Sequence, residues 1–449
     1  MYHMSTKSDK MASWPIPKLL FSMGLPAVFS MLIQALYNVV DTIYISRYSQ
    51  DALFAIGIVT PMVMVGFSIA MGSAVGIATL VARRLGERKK EEANAVATTG
   101  AFLTIVHIMI TILICRFLGI PFIRLFTARE EIVTLGFSYL SICMFFCFGQ
   151  HIALYFERLM QAQSNMIIPM FAQLIGAVVN IVFDPLLIFG YGPFPSMGIA
   201  GAAVATVSGQ ILSMIFCFIF FARDEVKIRL NGFRMELKRV RDIYAVGLPT
   251  MIMNAVTSFT TIFMNTILVR FSENAVSSLS LYFKVQSFVF MPVFGFSQGA
   301  LPILSYNYGA YNRERYYKTE VLYIITSAAI LFMGTLLFKF RTDFVLSFFT
   351  MDASLHAIAK KAFQTISYSF VFAALSICMG SVFQSFGKGI FSMIQSILRQ
   401  LVFLIPTAYF LSGFGNVDLV WYAYPIAEII VCLMFIPLTI RTYHQHFPN

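Results

Sequence analysis

The sequence has 449 residues, of which 58% are hydrophobic and only 12% are charged, and its mean hydropathy is +0.78. This composition excludes a soluble globular protein and indicates a polytopic membrane protein whose main partner is the lipid bilayer. The net charge of +11 would suit a nucleic-acid binder, but the Lys and Arg residues are distributed among short loops, so we predict no nucleic-acid partner. We expect a monomer.

Apolar windows of about 20 residues predict twelve membrane-spanning helices and hence an all-α membrane protein. Helices are favoured over a β-barrel because the windows are continuously apolar and do not alternate every second residue. The predicted spans cover residues 16–46, 53–82, 93–119, 131–156, 165–190, 198–222, 242–269, 277–307, 318–340, 356–382, 390–412 and 418–440.

The loops between these spans predict the orientation of the protein. Lys and Arg residues in and beside the loops number 21 on the side of the N-terminus and 9 on the opposite side. This bias predicts that both termini are cytoplasmic. The polar N-terminus has no short apolar core followed by a cleavage site, so we predict no removable signal peptide. The six cysteines form no CxxC pair, which gives little support to a disulfide or metal role.

The chain aligns with itself over its full length, without an insertion, when residue 24 is set against residue 247. In this register, residues 24–26 (Gly-Leu-Pro) match residues 247–249, and the glycines of 72–76 match those of 295–299. This repeat predicts two pseudo-symmetric six-helix lobes that rock around a central cavity. The predicted domains are an N-terminal lobe at 1–222, a basic cytoplasmic linker at 223–241 and a C-terminal lobe at 242–449.

Both copies of the glycine motif have the small-xxx-small spacing that lets helices approach closely. The second copy also reads Gly295-x-Ser297-x-Gly299, the pattern of a hydrolase elbow, but its counterpart has Ala74 at the serine position and neither copy follows a soluble strand. The DDxxD motif of prenyltransferases and the HExxH motif of intramembrane metalloproteases are absent from the sequence. We therefore predict that the protein is not an enzyme.

Acidic residues lie where the two lobes differ in sequence. Asp184 lies in an apolar run from 166 to 190, and a charge at that depth costs desolvation free energy and marks a functional site. Asn180 lies four residues earlier on the same helix face, so its amide oxygen and the carboxylate could together hold a proton or a small hard cation. In the second lobe, the positions aligned with Asp41, Asn180 and Asp184 hold Met264, Phe403 and Thr407.

Span 1 carries a polar stripe. Tyr37 and Asn38 precede Asp41 by four and three residues, and Gln34 precedes it by seven. A polar stripe on a bilayer helix must face protein or water, so we expect spans 1 and 5 to present their aspartates to one cavity. Pro26 removes one backbone hydrogen bond from span 1, which predicts either a static kink or a hinge.

Three charges lie more than six residues inside the predicted spans of the second lobe. Lys284 in span 8 is close enough to the span end to snorkel or to meet a carboxylate, and Arg399 in span 11 is expected to snorkel. Glu428 in span 12 aligns with Ala205. It is either a second protonation site or the partner of a neighbouring polar helix.

These motifs resemble the multidrug and toxic compound extrusion (MATE) family, in particular its bacterial DinF-like and MepA-like branch. The resemblance covers all twelve spans and is carried by residues 24–26, 36–42, 180–185, 198–206 and 286–299. It implies secondary active export of organic cations and other amphiphilic xenobiotics across a bacterial plasma (inner) membrane, driven by inward H⁺ or Na⁺. We predict no other cofactor.

The resemblance also implies functional residues. The implied coupling site consists of Asp41, Asn180, Asp184 and Thr206, and no metal is expected beyond Na⁺ at the first three. The implied substrate cavity and gate contain Pro26, Gln34, Tyr37, Asn38 and Gln161, with Lys284 and Glu428 as secondary candidates. The NorM-type branch has an acidic residue in span 7, which residues 251–257 lack, so we expect no such ion site in the second lobe.

The alternative function is a flippase for a lipid-linked saccharide, from a related fold group. Such a protein would need a cavity rich in Arg and Lys to meet pyrophosphate, but only Lys284 and Arg399 lie more than six residues inside the predicted spans. The sequence therefore favours the antiporter.

Overall fold

A computed structural model describes residues 10–223, 228–230, 236–349 and 353–447, and within these residues all regular structure is helical. The helices are α1 Lys10–Ser13, α2 Ile16–Tyr48, α3 Gln50–Gly86, α4 Lys90–Arg124, α5 Glu130–Phe145, α6 Phe148–Ala162, α7 Ile167–Phe189, α8 Ile199–Arg223, α9 Leu237–Leu268, α10 Glu273–Gly309, α11 Arg313–Phe340, α12 Thr342–Leu346, α13 Ala353–Ile366, α14 Phe370–Ser385, α15 Gly389–Ile397, α16 Ile405–Ser412, α17 Val417–Val420 and α18 Ala423–His446. A 3₁₀ turn, Ser367–Ser369, joins α13 to α14, and a π-helix, Leu398–Leu404, joins α15 to α16.

Eleven helical segments in the described part of the chain are long and apolar enough to cross a membrane. The pair α5 and α6, bent by 42° at a short break, gives a twelfth span if it is counted as one. The prediction of an all-α membrane protein with twelve spans is therefore confirmed. The predicted end of span 4 at residue 156 is wrong, because α6 continues to Ala162 and carries Glu157, Arg158 and Gln161 as buried residues.

The chain forms two compact units that differ from the predicted lobes at two helices. The first unit contains Phe29–Met251, and the second contains Met11–Val28 and Ile252–Asn449. The first part of α2 thus belongs to the second unit, and the first part of α9 belongs to the first unit. Each of these two helices changes unit two residues after an internal proline, Pro26 or Pro249.

Close glycine contacts explain this exchange of helix halves. In the first unit, a Cβ added to Gly72 of α3 would lie 2.6 Å from the carbonyl oxygen of Gly247 in α9. In the second unit, a Cβ added to Gly299 of α10 would lie 2.8 Å from the amide nitrogen of Gly24 in α2. Only glycine permits backbones to approach this closely, so the predicted packing role of the small-xxx-small faces is confirmed.

The duplication found in the sequence is also present in the backbone, in helix caps and in φ angles. The Ser49 hydroxyl caps α3 by accepting a hydrogen bond from the Ala52 amide at 3.4 Å, and Ser272 caps α10 by accepting from Ala275 at 3.1 Å. These two caps occupy equivalent positions of the repeat. Positive φ angles also occur at equivalent positions, at Arg88 and Tyr311 and at Gly192 and Gly415.

Buried side chains form a core in each unit. In the first unit, small side chains such as Ala93 and Ala97 pack with Tyr155 and Phe156. The core of the second unit also contains small side chains, and its Tyr282 and Phe363 rings lie 5.5 Å apart and edge to face.

Candidate cation site and cavity

Helices α7 and α8 of the first unit position three of the implied coupling residues. Asn180 and Asp184 lie one turn apart on α7, and both are buried. The Asn180 side-chain amide donates hydrogen bonds to Asp184 Oδ1 at 3.4 Å and to Thr206 Oγ1 of α8 at 3.2 Å. One amide therefore links a carboxylate on its own helix to a hydroxyl on the next.

Glycines bring α7 and α8 close enough for these short side chains to meet. A Cβ added to Gly209 of α8 would lie 2.5 Å from the carbonyl oxygen of Gly176 in α7, and one added to Gly201 would lie 2.5 Å from that of Leu187. These contacts lie on both sides of the Asn180–Thr206 pair along the helices. The spacing of the helices at the site is thus fixed by backbone contact.

Helix α2 contributes the second carboxylate. Asp41 is half-buried and lies close enough to Asp184 for their carboxyl groups to interact directly. Tyr37, one turn earlier, lies near the Gln34 side chain and near both aspartates. The predicted stripe of span 1 therefore faces α7. The side chain of Asn38, which the sequence placed on that stripe, lies outside the described residues.

Three oxygens at this site are shielded from solvent and have no hydrogen-bond partner among the described residues: Asp41 Oδ1, Asn180 Oδ1 and Asp184 Oδ2. An unsatisfied buried polar atom costs about 1–3 kcal/mol, so three of them together require an explanation. Carboxylate and amide oxygens are the ligands that hard cations prefer, and a carboxylate also accepts a proton. The donor set therefore fits a proton or a small hard cation such as Na⁺.

A cavity of about 110 Å³ opens beside Asn180 and Thr206 within the first unit. Among the described residues, no Lys or Arg lines it. Its lining consists of Gln34, Tyr37, Phe67, Gln150, Ala153, Leu154, Glu157, Gln173, Gly176, Ala177, Asn180, Thr206, Gly209, Gln210 and Ser213.

The other predicted residues lie elsewhere. Pro26 belongs to the second unit, and Lys284 is exposed on α10. Gln161 does not line the cavity. Its side-chain oxygen accepts a hydrogen bond from Arg158 Nη1 at 2.7 Å.

In the second unit, Arg399 Nη1 lies 3.4 Å from Glu428 Oε1. Of the two interpretations of Glu428, the structure supports the one in which Glu428 pairs with a polar side chain of a neighbouring helix. Arg399, which was expected to snorkel, forms this ion pair instead.

Sequence reasoning missed Glu157 and Arg158 because both were assigned to a loop. The available signal was a Glu-Arg pair followed by Gln161, with no Gly or Pro to end the helix before it. Extending the helix by two turns would have placed a third carboxylate in the first unit.

The described residues thus form a multi-pass helical membrane protein that is internally duplicated and carries a buried carboxylate site in one unit. The MatE family model matches residues 26–186 and 249–410, two segments whose first residues are equivalent in the repeat. This chain belongs to the MatE family, the multidrug and toxic compound extrusion transporters.

Individual relatives agree with this assignment. "Multidrug export protein MepA" of Staphylococcus aureus (strain bovine RF122 / ET3-1) is 24% identical over 430 residues, which cover 93% of this chain and 92% of the relative. The protein of the same name from Staphylococcus saprophyticus is 24% identical over 417 residues and covers 91% and 90%. The crystal structure of MATE in complex with MaL6 has the same fold, with a TM-score of 0.93, 23% identity and coverage of 99% and 100%.

Proposed function

We propose that this chain is a secondary active antiporter that exports organic cations and other amphiphilic xenobiotics in exchange for H⁺ or Na⁺. The observation that carries this proposal is the set of three buried, unpartnered oxygens of Asp41, Asn180 and Asp184 beside a cavity of about 110 Å³. The names of the relatives, multidrug export proteins, support it. The flippase alternative gains no support, since no described Lys or Arg lines the cavity.

Exchange follows from competition for one pair of carboxylates. Two adjacent carboxylates in apolar surroundings repel each other and lose hydration, so their charge must be compensated. A proton, a Na⁺ ion or the cationic group of a substrate can each provide that compensation, and no two of them can use the same oxygens at once. Binding of one therefore displaces another, which couples their opposite movements.

The exchanged helix halves support alternating access as the transport mechanism. Helices α2 and α9 each contain the last residues of one unit and the first residues of the other. Pro26 and Pro249 each remove a backbone hydrogen bond just before that change, where α2 and α9 are therefore easiest to bend. Bending there would let the units move while each keeps its docked helix half.

The direct test is ethidium efflux from proteoliposomes containing the purified protein, with H⁺ and Na⁺ gradients imposed separately. We expect efflux against the ethidium gradient when the coupling ion flows inward, and none when the membrane is made permeable to that ion. Equal ethidium movement with and without both gradients would contradict an antiporter.

Competition at the carboxylates predicts a pH dependence of binding. As the pH falls, protons occupy Asp41 and Asp184, so the affinity of the purified protein for a monovalent cationic dye should weaken between about pH 8 and pH 5.5. By reciprocity, dye binding should release protons into weakly buffered solution. A pH dependence that persists when both aspartates are replaced by Asn would contradict the shared site.

We also propose that the protein is a monomer in a bacterial plasma (inner) membrane with both termini in the cytoplasm. In a variant without native cysteines, Arg229→Cys and His446→Cys should react with a membrane-impermeant maleimide only from the cytoplasmic side, and Pro195→Cys only from outside. External labelling at residue 229 would contradict this orientation.

A further inference from the structure

An arginine of the second unit, Arg315 in the first turn of α11, holds the chain that leads into α2. Its Nη2 donates to the carbonyl oxygens of Met11 at 2.8 Å and Trp14 at 2.9 Å. Its Nε is shielded from solvent and has no hydrogen-bond partner among the described residues. The neighbouring Glu314 pairs with Lys318, and no described carboxylate pairs with Arg315. Neutral carbonyls therefore bind this half-buried guanidinium without compensating its charge.

The duplication shows that this charge has no counterpart in the first unit. The residue aligned with Arg315 is Glu92, and the residue aligned with Ile16 is Arg239. In the first unit, Arg239 Nη2 lies 3.3 Å from Glu92 Oε1, so an ion pair fixes the start of α9 to the first turn of α4. In the second unit, an arginine replaces the acid, and Ile16, only 5% exposed, replaces the base. The second unit thus has a cation at this junction and no described acid to balance it.

An open groove of about 580 Å³ lies beside this arginine. Its charged lining residues are Arg315, Lys318 and Glu314, so the described lining carries one net positive charge. Its apolar lining includes Pro17 at the start of α2 and Leu322 of α11. The groove therefore offers a net positive charge next to an apolar surface.

An exposed apolar face of α11 continues from this groove along the membrane-spanning part of the helix. Leu322 lies four residues after Lys318, and Ile325 and Phe332 follow on the same side of the helix. Ile325 is 59% exposed and Phe332 is 53% exposed. At a rise of 1.5 Å per residue, Ile325 lies about 15 Å from Arg315 along the axis, which is about the depth of one leaflet. A positive charge at the helix end with an apolar face below it matches the layout of a phospholipid.

We propose that this groove binds an anionic phospholipid, such as phosphatidylglycerol, from the leaflet on the side of the N-terminus. The phosphate compensates Arg315, and an acyl chain lies along Leu322 and Ile325. A lipid with an ammonium group balances its own phosphate, so a groove of net positive charge favours a lipid of net negative charge. The bound lipid supplies the charge balance that Glu92 and Arg239 provide in the first unit. The site is separate from the proposed ion and drug exchange.

The chain contains a reporter for this site. Trp14 is held against Arg315, whereas the other tryptophan, Trp421, is fully buried and cannot contact lipid. The purified full-length protein is reconstituted in mixed vesicles in which either phosphatidylglycerol or phosphatidylcholine carries bromine near the glycerol end of its acyl chains. Bromine quenches tryptophan fluorescence on contact, so the two quenching curves give the relative affinity of the site for the two lipids. We expect an approximately fivefold preference for phosphatidylglycerol, the effect of one charge near a membrane surface, and a smaller preference at high salt.

Two replacements of one lining residue separate charge from structure. Pro17→Glu adds a carboxylate to the groove and should reduce the preference to about one. Pro17→Gln adds an uncharged side chain of the same size and should retain the preference. Arg315→Gln should also reduce the preference to about one. If Arg315→Gln does not fold, the two Pro17 variants still decide the outcome.

Three results would overturn the lipid site. The first is a wild-type protein that does not distinguish phosphatidylglycerol from phosphatidylcholine. The second is a preference that persists in Pro17→Glu, which would assign it to the general charge of the protein surface. The third is a preference that inorganic phosphate removes and chloride at the same ionic strength does not, because the groove would then bind free phosphate and not a lipid. None of these results affects the proposed antiporter, which is tested by ethidium efflux.

Discussion

The two units share a duplicated scaffold but carry different polar groups around the position of the candidate site. In the first unit, Asp184 and Asn180 keep oxygens without a partner among the described residues. In the second unit, the Thr260 hydroxyl donates to Gln400 Oε1 at 3.1 Å, and Gln400 Nε2 donates to Ser396 at 2.9 Å. Thr260, Gln400 and Ser396 thus hydrogen-bond one another, whereas the oxygens of Asp184 and Asn180 can still bind an added cation or proton.

The backbone differs at the same place. Asn180 lies in the regular α-helix α7, but its aligned residue, Phe403, lies in the π-helix Leu398–Leu404. Arg399, which lies within that π-helix, forms an ion pair with Glu428. The duplicated scaffold thus repeats its glycine contacts and turns, while the buried aspartates occur in one unit and the Arg399–Glu428 ion pair occurs in the other.

The strongest test of this contrast compares aligned positions. Asp184→Asn and Asp41→Asn should each reduce gradient-driven ethidium efflux to the level of vesicles without protein, because the coupling charge is removed. Thr407→Asn, which introduces the same side chain at the position aligned with Asp184, should leave efflux unchanged. Folding should be retained in the aspartate variants, since neutralising a buried carboxylate removes a desolvation cost. Unimpaired efflux in both aspartate variants would move the coupling site elsewhere.

The shared scaffold should respond equally in both units. Gly76→Ala would place a Cβ against the backbone of Ile243 and Gly247, and Gly299→Ala would place one against Gly24. Each should lower the free energy of unfolding by about 1–3 kcal/mol, measured by thermal or denaturant unfolding in detergent. Gly57→Ala is the matched control, because its Cβ would meet nothing within 4 Å. It should range from neutral to about 1 kcal/mol stabilising. A large effect in one unit alone would contradict the symmetry.

A smaller effect is expected at the ion pair of the second unit. Glu428→Gln leaves the partly exposed Arg399 guanidinium without its charge partner and should destabilise the protein by about 1–2 kcal/mol. Adding Arg399→Met should restore most of that loss. The pH dependence of dye binding should be the same in all three proteins. If Glu428→Gln removes it, the second unit takes part in coupling.

Much of the fold could be predicted from the sequence, because bilayer thickness fixes helix length and the repeat fixes which helices correspond. The number of spans and the glycine contacts were predicted correctly in this way. The exchange of helix halves could not be predicted, since the repeat shows that residues 24–26 and 247–249 are equivalent but does not identify the unit to which each docks. That choice depends on contacts with Gly295, Gly299, Gly72 and Gly76, which are distant in sequence.

The candidate site could be predicted only in part, because some of its contacts also join residues that are distant in sequence. Helical spacing placed Asn180 and Asp184 on one face, and the resemblance added Thr206, which the structure brings within hydrogen-bonding distance. Glu157 was missed because charged residues at the end of an apolar run usually mark the membrane boundary. Here α6 continues past that boundary in sequence, and Gln173 shields the charge, a contact that periodicity within one helix does not contain.

The exchanged helix halves also govern the order in which the protein can be assembled during synthesis. The first part of α2 emerges from the ribosome early, yet its docking partner Gly299 is made only after the whole first unit and the linker. The first unit, in turn, stays incomplete until residues 237–251 have been made. Neither unit can therefore close before translation has passed residue 251. Two fragments separated within the linker would each lack a helix half that only the other fragment supplies, so they should fold stably only when made together.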